Sequence, residues 1–184
     1  AVICSKEMCF ALMGISINDT LLDIIVNDMI QKTVEINNCA CSAIISNPLS
    51  DYLKLADTYQ KLKEGFHIRM IRKQQWQYIF LDELQYDRIM LHISEDTEVH
   101  QFIRCKLGPL VEYDRAHDTQ LLETLEALIQ NHNSRKLAAE SLFLHRNTMV
   151  HRINKIEEVL HCSLDDTEIM EQLEFAIKMK MYAH

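Results

Sequence analysis

The chain has 184 residues, 48% of them apolar and 25% charged, with three glycines, two prolines and a net charge of −8. That length carries one or two domains with a real core, and the composition excludes a Pro/Gly-rich linker, a collagen and an enzyme built on a glycine cradle. No apolar run reaches the roughly 18–20 residues of a membrane span, no signal peptide is visible, and the acidic balance argues against a surface that coats nucleic acid indiscriminately.

Val2–Cys4 and Met8–Ile15 read as two short strands joined by Ser5-Lys6-Glu7. Asp19 or Thr20 suits the N-cap of a helix from Leu21 to about Glu35, whose Leu21, Leu22, Ile25, Met29 and Ile30 recur at 3–4 spacing. Asn37-Asn38 breaks it. Cys39–Ile45 is rich in β-branched and small residues and reads as a strand, Asn47-Pro48 as a turn. Ser50 or Asp51 starts a second helix to about Glu64, which Gly65 stops. Tyr78–Leu81 reads as a strand, and 84–93 and 97–107 as helices ended by Gly108-Pro109. Strands alternate with helices to about residue 82, and everything after is helical. The fold class expected is α+β, a partial α/β domain followed by an all-α domain.

The C-terminal segment is the most informative. Leu121, Leu122, Leu125, Leu128 and Ile129 make an amphipathic helix that Asn131-His132-Asn133 ends. Ser134 caps a short helix, Arg135–Leu142, whose Ala138-Ala139 lets another helix cross closely. After a turn at Phe143-Leu144, a longer helix begins near His145 and runs to about Leu160. It buries Met149, Ile153, Ile156 and Leu160 and presents a polar, basic outer side. Within 135–155, Arg135, Lys136, Arg146, Arg152 and Lys155 face Glu140 alone, a net charge of +4 inside an acidic chain. A short helix, a tight turn and a longer basic helix form a helix-turn-helix.

Such a helix fits the DNA major groove, and its N-terminal residues reach base edges. Arg146 in the first turn suits guanine O6 and N7, helped by His145 and His151. Asn147 suits adenine or a phosphate, and Val150 a thymine methyl. Thr148, Arg152 and Lys155 suit phosphates, and Arg135 and Lys136 at the start of the short helix suit the DNA backbone as well. The bland counterpart is a solvated face on a helical bundle.

Other features read as structure. Cys4, Cys9, Cys39, Cys41, Cys105 and Cys162 form no Cys-x-x-Cys and are expected to be reduced core thiols. Asp165-Asp166 precedes the last helix, with Asp165 and Glu168 spaced as a capping box. Trp76 with Tyr78 reads as core rather than as a ligand pocket. No catalytic arrangement, metal-ligand spacing or cofactor motif emerges, so no catalytic residue, metal or cofactor is expected.

The run Leu142-Phe143-Leu144-His145-Arg146-Asn147-Thr148-Met149-Val150-His151-Arg152-Ile153 resembles the C-terminal helix-turn-helix of the PucR/CdaR family of bacterial transcription regulators. Leu107-Gly108-Pro109-Leu110, Glu112-Tyr113-Asp114, Leu121–Leu125, Asn133–Ala139 and Leu164-Asp165-Asp166 fit it too, so the likeness runs from about Leu107 to Tyr182. The helix-turn-helix also resembles the Fis type, and Phe143 stands where many such turns carry glycine. The resemblance implies a DNA-binding domain over 107–184 and a degenerate GGDEF-like α+β domain, shortened at its N-terminus, over 1–106. In the first hairpin Ser5-Lys6-Glu7-Met8-Cys9-Phe10 stands where a working diguanylate cyclase has Gly-Gly-Asp/Glu-Glu-Phe, which implies a non-catalytic domain. The resemblance further implies double-stranded DNA as partner and an effector sensed outside this chain; a homodimer is expected because one short recognition helix makes too few contacts for useful specificity, and no membrane and a cytoplasmic location are expected. Starting at Ala1 rather than Met, the chain is expected to be a piece of a longer protein. The competing readings are a nucleotide cyclase or hydrolase and a dimerisation or ligand-signal relay module that does not bind DNA.

Overall fold

The structure is a computed structural model that describes residues 2–4, 9–11, 19–37, 41–49, 51–72 and 77–183. The chain divides into two compact units, one spanning 1–62 and 75–83, the other 63–74 and 84–184.

In the first unit, β1 (Val2–Cys4) and β2 (Cys9–Ala11) pair antiparallel, with Ile3 opposite Phe10. The expected strand Met8–Ile15 is thus described only over 9–11, and Ser5–Met8 and 12–18 lie outside the described residues. Helix α1 runs Asp19–Asn37. Val26 and Ile30 are its buried residues, whereas Leu21 and Met29, expected on the apolar face, are exposed. β3 (Ala43–Ile45) pairs in parallel with β4 (Tyr78–Phe80), Ala43 opposite Tyr78. A parallel pair needs a crossover, and the chain between them supplies it. Asp51 caps a single 3-10 turn, Tyr52–Lys54, by accepting from the Leu53 N–H at 2.9 Å. The turn leads into α2 (Leu55–Arg72).

Helix α2 corrects an expectation. Gly65 does not stop it: the helix continues to Arg72. Thr58, Leu62, Gly65 and Ile68 are all buried and recur at 3–4 spacing, so burial of that stripe outweighs the roughly 1 kcal/mol that glycine costs inside a helix. Among the described residues the strand expected over Cys39–Ile45 is also shorter than its composition predicts, beginning only at Ala43. The four strands among the described residues have three residues each, and the chain is mostly helical.

The second unit takes in α3 (Gln85–Ser94), α4 (Thr97–His117), α5 (Leu121–Gln130), α6 (Arg135–Ser141), α7 (Arg146–Leu160) and α8 (Thr167–Tyr182). Its core gathers Leu107 and Leu110 of α4, Leu121, Leu125 and Leu128 of α5, Ala138 and Ala139 of α6, Met149, Ile153 and Ile156 of α7, and Leu173 and Ala176 of α8. α4 packs against α8, and α5 against α7. Gly108-Pro109 does not end a helix at residue 107; α4 runs through both. Pro109 takes an amide from the helix, a defect of about 3 kcal/mol or more. Pro109 and Cys105, whose carbonyl loses that donor, both lie on the exposed side, and Leu107 and Leu110 anchor the helix on either side of the defect.

α4 and α7 stop at left-handed caps that are not glycine, Asp118 (φ 53°) and His161 (φ 52°), and the turns after α5 and α6 carry left-handed His132 (φ 52°), Asn133 (φ 62°) and Phe143 (φ 55°). The last helix is capped one residue later than expected. Asp166, not Asp165, accepts from the Glu168 and Ile169 amides, and Asp165 instead pairs with Arg135 at 2.8 Å. The thiols are not uniformly core: Cys105 is exposed, Cys41 and Cys162 are half-buried. Cys39 and Trp76 lie outside the described residues.

One polar cluster sits deep in this unit. Asp87 of α3 is 2% exposed and accepts from the Tyr182 hydroxyl of α8 and from Arg72 at 2.9 Å. Ser94 donates to the Tyr182 carbonyl at 3.2 Å. Burial and then the Asp87 contact push the Tyr182 phenol far above its ordinary value of 10.0.

Candidate nucleic-acid interface

The helix pair α6–α7 is set by small side chains and a closed turn. Ala138 and Ala139 are buried, which brings α6 close to α5 and α7. The Ser134 hydroxyl accepts from the Leu137 N–H at 3.4 Å and starts α6. At its end the Leu144 N–H donates to the Ala139 carbonyl at 2.8 Å, and the Phe143 N–H to the Glu140 carbonyl at 3.1 Å. These bonds satisfy orphan carbonyls and fold the chain back at once. Phe143 is left 96% exposed.

His145 then caps α7. Its backbone is extended, and its Nδ1 accepts from the Asn147 N–H at 3.2 Å. Met149, Ile153 and Ile156 are buried, Leu160 half-buried, as the periodicity requires. That orientation leaves His145, Arg146, Asn147, Thr148, Val150 and His151 exposed. Among the described residues the side chains of Arg146, Asn147, Thr148 and His151 make no hydrogen bond or ion pair. The first turn of α7 thus offers an uncommitted guanidinium, amide and hydroxyl beside the positive end of the helix dipole.

The other expected cations are committed to differing degrees. Arg135 pairs with Asp165, and Lys136 lies 4.0 Å from Glu140; both pairs are exposed, where such contacts are worth little and exchange readily. Lys155 bonds Glu158 at 2.6 Å, which with the carboxylate's charge holds its pKa above the ordinary 10.5, and its ammonium lies 5.8 Å from the centre of the Tyr113 ring.

Arg152 stands apart. It is half-buried and turned toward α5, where Nη1 donates to Thr124 Oγ1 at 3.1 Å and Nη2 to Gln120 Oε1 at 3.2 Å. Beside it, Asp114 at the end of α4 accepts from the Leu121 N–H (2.8 Å), the Leu122 N–H (2.9 Å) and the Thr119 hydroxyl (2.6 Å). It does for α5 what an N-cap does, from a different helix. Burial alone raises the Asp114 pKa. The donors from Leu122, Thr119 and Leu121, with the charge of Arg152, outweigh it and hold the carboxyl below its ordinary 3.8. Sequence reasoning missed Thr124 and Gln120 altogether and gave Asp114 no role. These residues lie 28 to 38 positions from Arg152 and share no periodicity with it.

Among the described residues no group of three or more His, Cys, Asp or Glu side chains is placed to hold a metal ion, and no helix is long and apolar enough to cross a membrane.

Comparison with known proteins covers this part of the chain. Residues 121–179 match the profile of the PucR C-terminal helix-turn-helix domain. Over 133 residues, 70% of this chain, it is 31% identical to the proline-responsive transcriptional activator PutR of Bacillus subtilis, covering 32% of that protein. Over 91 residues, half of this chain, it is 32% identical to the purine catabolism regulatory protein of the same organism, covering 17% of it. An uncharacterized protein of Thermomonospora curvata is 35% identical over 85 residues, 46% of this chain and 47% of that protein. The chain therefore spans a third or less of the first two relatives. No solved structure matches at the significance these relatives reach.

Proposed function

We propose that this chain, which carries a PucR C-terminal helix-turn-helix domain, binds double-stranded DNA sequence-specifically as the C-terminal part of a bacterial transcription regulator. The observation that carries this reading is the first turn of α7, where Arg146, Asn147 and Thr148 are exposed and, among the described residues, without a side-chain hydrogen bond or ion pair, beside a capped helix N-terminus. α7 enters the major groove. Arg146 reads a guanine edge through its two-pronged guanidinium, His145, Asn147, Val150 and His151 border the same base edges, and Thr148 holds a phosphate. Arg135, Lys136 and Lys155 serve the backbone once their exposed carboxylate partners give way.

A single short helix makes few base contacts, so the working unit is a homodimer that reads two half-sites about 34–36 Å apart. The region ahead of the helix-turn-helix, 1–106 when 107–184 is taken as the DNA-binding domain, is a degenerate, non-catalytic GGDEF-like domain used for packing or signal relay. The effector is sensed by a region beyond this chain, and the regulator works in the cytoplasm.

Fluorescence anisotropy on duplexes selected by the wild-type chain from a randomised pool tests the reading. Arg146→Ala is expected to cost about 1–3 kcal/mol of specific binding and to relax preference at one position per half-site. A variant that binds selected and scrambled duplexes as the wild type does removes Arg146 as the reader.

A further inference from the structure

We infer that Arg152 is a positioning residue for DNA recognition and not a phosphate contact: it locks the recognition helix to the corner between α4 and α5. This rests on the DNA-binding reading above. Three observations carry it. Each terminal nitrogen of the guanidinium donates one of its two N–H groups inside the domain, one to Thr124 and one to Gln120, which turns the fork toward α5. Thr124 is fully buried, out of reach of any DNA. Asp114 holds the first amides of α5 from the end of α4, and so fixes the turn that carries Gln120 and, one turn on, Thr124.

The lock answers a mechanical need. The face that α7 presents to its own domain is a stripe of Met149, Ile153 and Ile156. Apolar contact is non-directional and leaves roll about the helix axis only loosely restrained. A roll of about 10° moves a side-chain tip about 8 Å from the axis by about 1.4 Å, more than the roughly 0.5 Å range of hydrogen-bond lengths. A planar fork bound to two acceptors resists that roll, because both bonds must break together. Arg146 lies six residues earlier, on the exposed first turn. The bonds of Arg152 thus set where the groups on that turn point, without touching what they read.

The experiment is a salt titration by fluorescence anisotropy, using the whole chain on one selected and one scrambled duplex. Arg152→Ala is expected to weaken the selected duplex tenfold or more, with little change on the scrambled one and an unchanged slope of log K against log [salt]. A phosphate contact would instead lower the steepness by about 0.9 and weaken both duplexes alike, and that result overturns the inference. Arg152→Lys keeps the charge but not the fork. The positioning role predicts a loss on the selected duplex, and retention of wild-type affinity there overturns it. Thr124→Val is expected to weaken the selected duplex several-fold at constant slope. The double variant with Arg152→Ala should bind no more weakly than Arg152→Ala alone, because the two side chains act through one bond. Additive losses overturn the coupling. A wild-type chain that binds neither duplex removes the DNA-binding reading itself, before any variant is compared.

Discussion

Asp114 is a side chain whose protonation should be readable in bulk. Its carboxylate accepts three hydrogen bonds and sits near a guanidinium, so its folded pKa lies below its unfolded one. The stabilisation is therefore fully present above the unfolded value near 3.8 and is lost as pH falls through the lower folded value. Thermal melts between about pH 6 and about pH 3 should show the wild type losing stability below about pH 4. Asp114→Asn should start lower at neutral pH and fall less steeply. Parallel curves would show that Asp114 contributes nothing to the acid limb. At this scale the sequence was legible where a role is local. The exposed first turn of α7 follows from the spacing of Met149, Ile153 and Ile156, and Ser134 is a cap by residue type. The charge of Arg152, which suits a phosphate, is visible in the sequence, whereas its hydrogen-bond partners Thr124 and Gln120, in and just before α5, are not.

At the scale of elements, the misread positions are those where a local breaker meets a buried stripe. Gly65 and Gly108-Pro109 are stop signals by composition, yet both lie inside helices, because tertiary burial outweighs propensity there. Conversely, α4 and α7 end at Asp and His residues in the left-handed region, and the turns after α5 and α6 place His, Asn and Phe there, where composition alone offers weaker signals than glycine would. Gly108 gives a test. A Cβ built there meets nothing within 4 Å beyond its chain neighbours and its own helix backbone, but the next residue is Pro109, whose ring crowds the Cβ of a helical residue before it. Gly108→Ala should therefore gain less than the about 0.5–1 kcal/mol that alanine gains over glycine at an ordinary interior helix position, read from the midpoint of urea denaturation. A midpoint raised by that full amount would show that the ring of Pro109 does not crowd the added methyl.

Across the whole chain, the all-helical C-terminal part was legible from period alone, whereas the polar cluster that ties α3 to α8 was not. Asp87 and Tyr182 are 95 residues apart, and nothing in the pattern of either helix pairs them. Tyr182→Phe keeps the ring and removes the hydroxyl, leaving a buried carboxylate short of one donor. It should cost about 1–3 kcal/mol, measured by urea denaturation followed by far-UV circular dichroism. An unchanged midpoint would show that Arg72 alone satisfies Asp87.

The bonds between α7 and α5 also define what can be transplanted. Anyone redirecting this domain to a new operator would naturally graft a foreign recognition helix over 146–160. Because Arg152 within that span is matched to Thr124 and Gln120 outside it, such a graft inherits a socket cut for a different key. The exchangeable cassette is better drawn from Asp114 to Leu160, the corner together with the helix it holds.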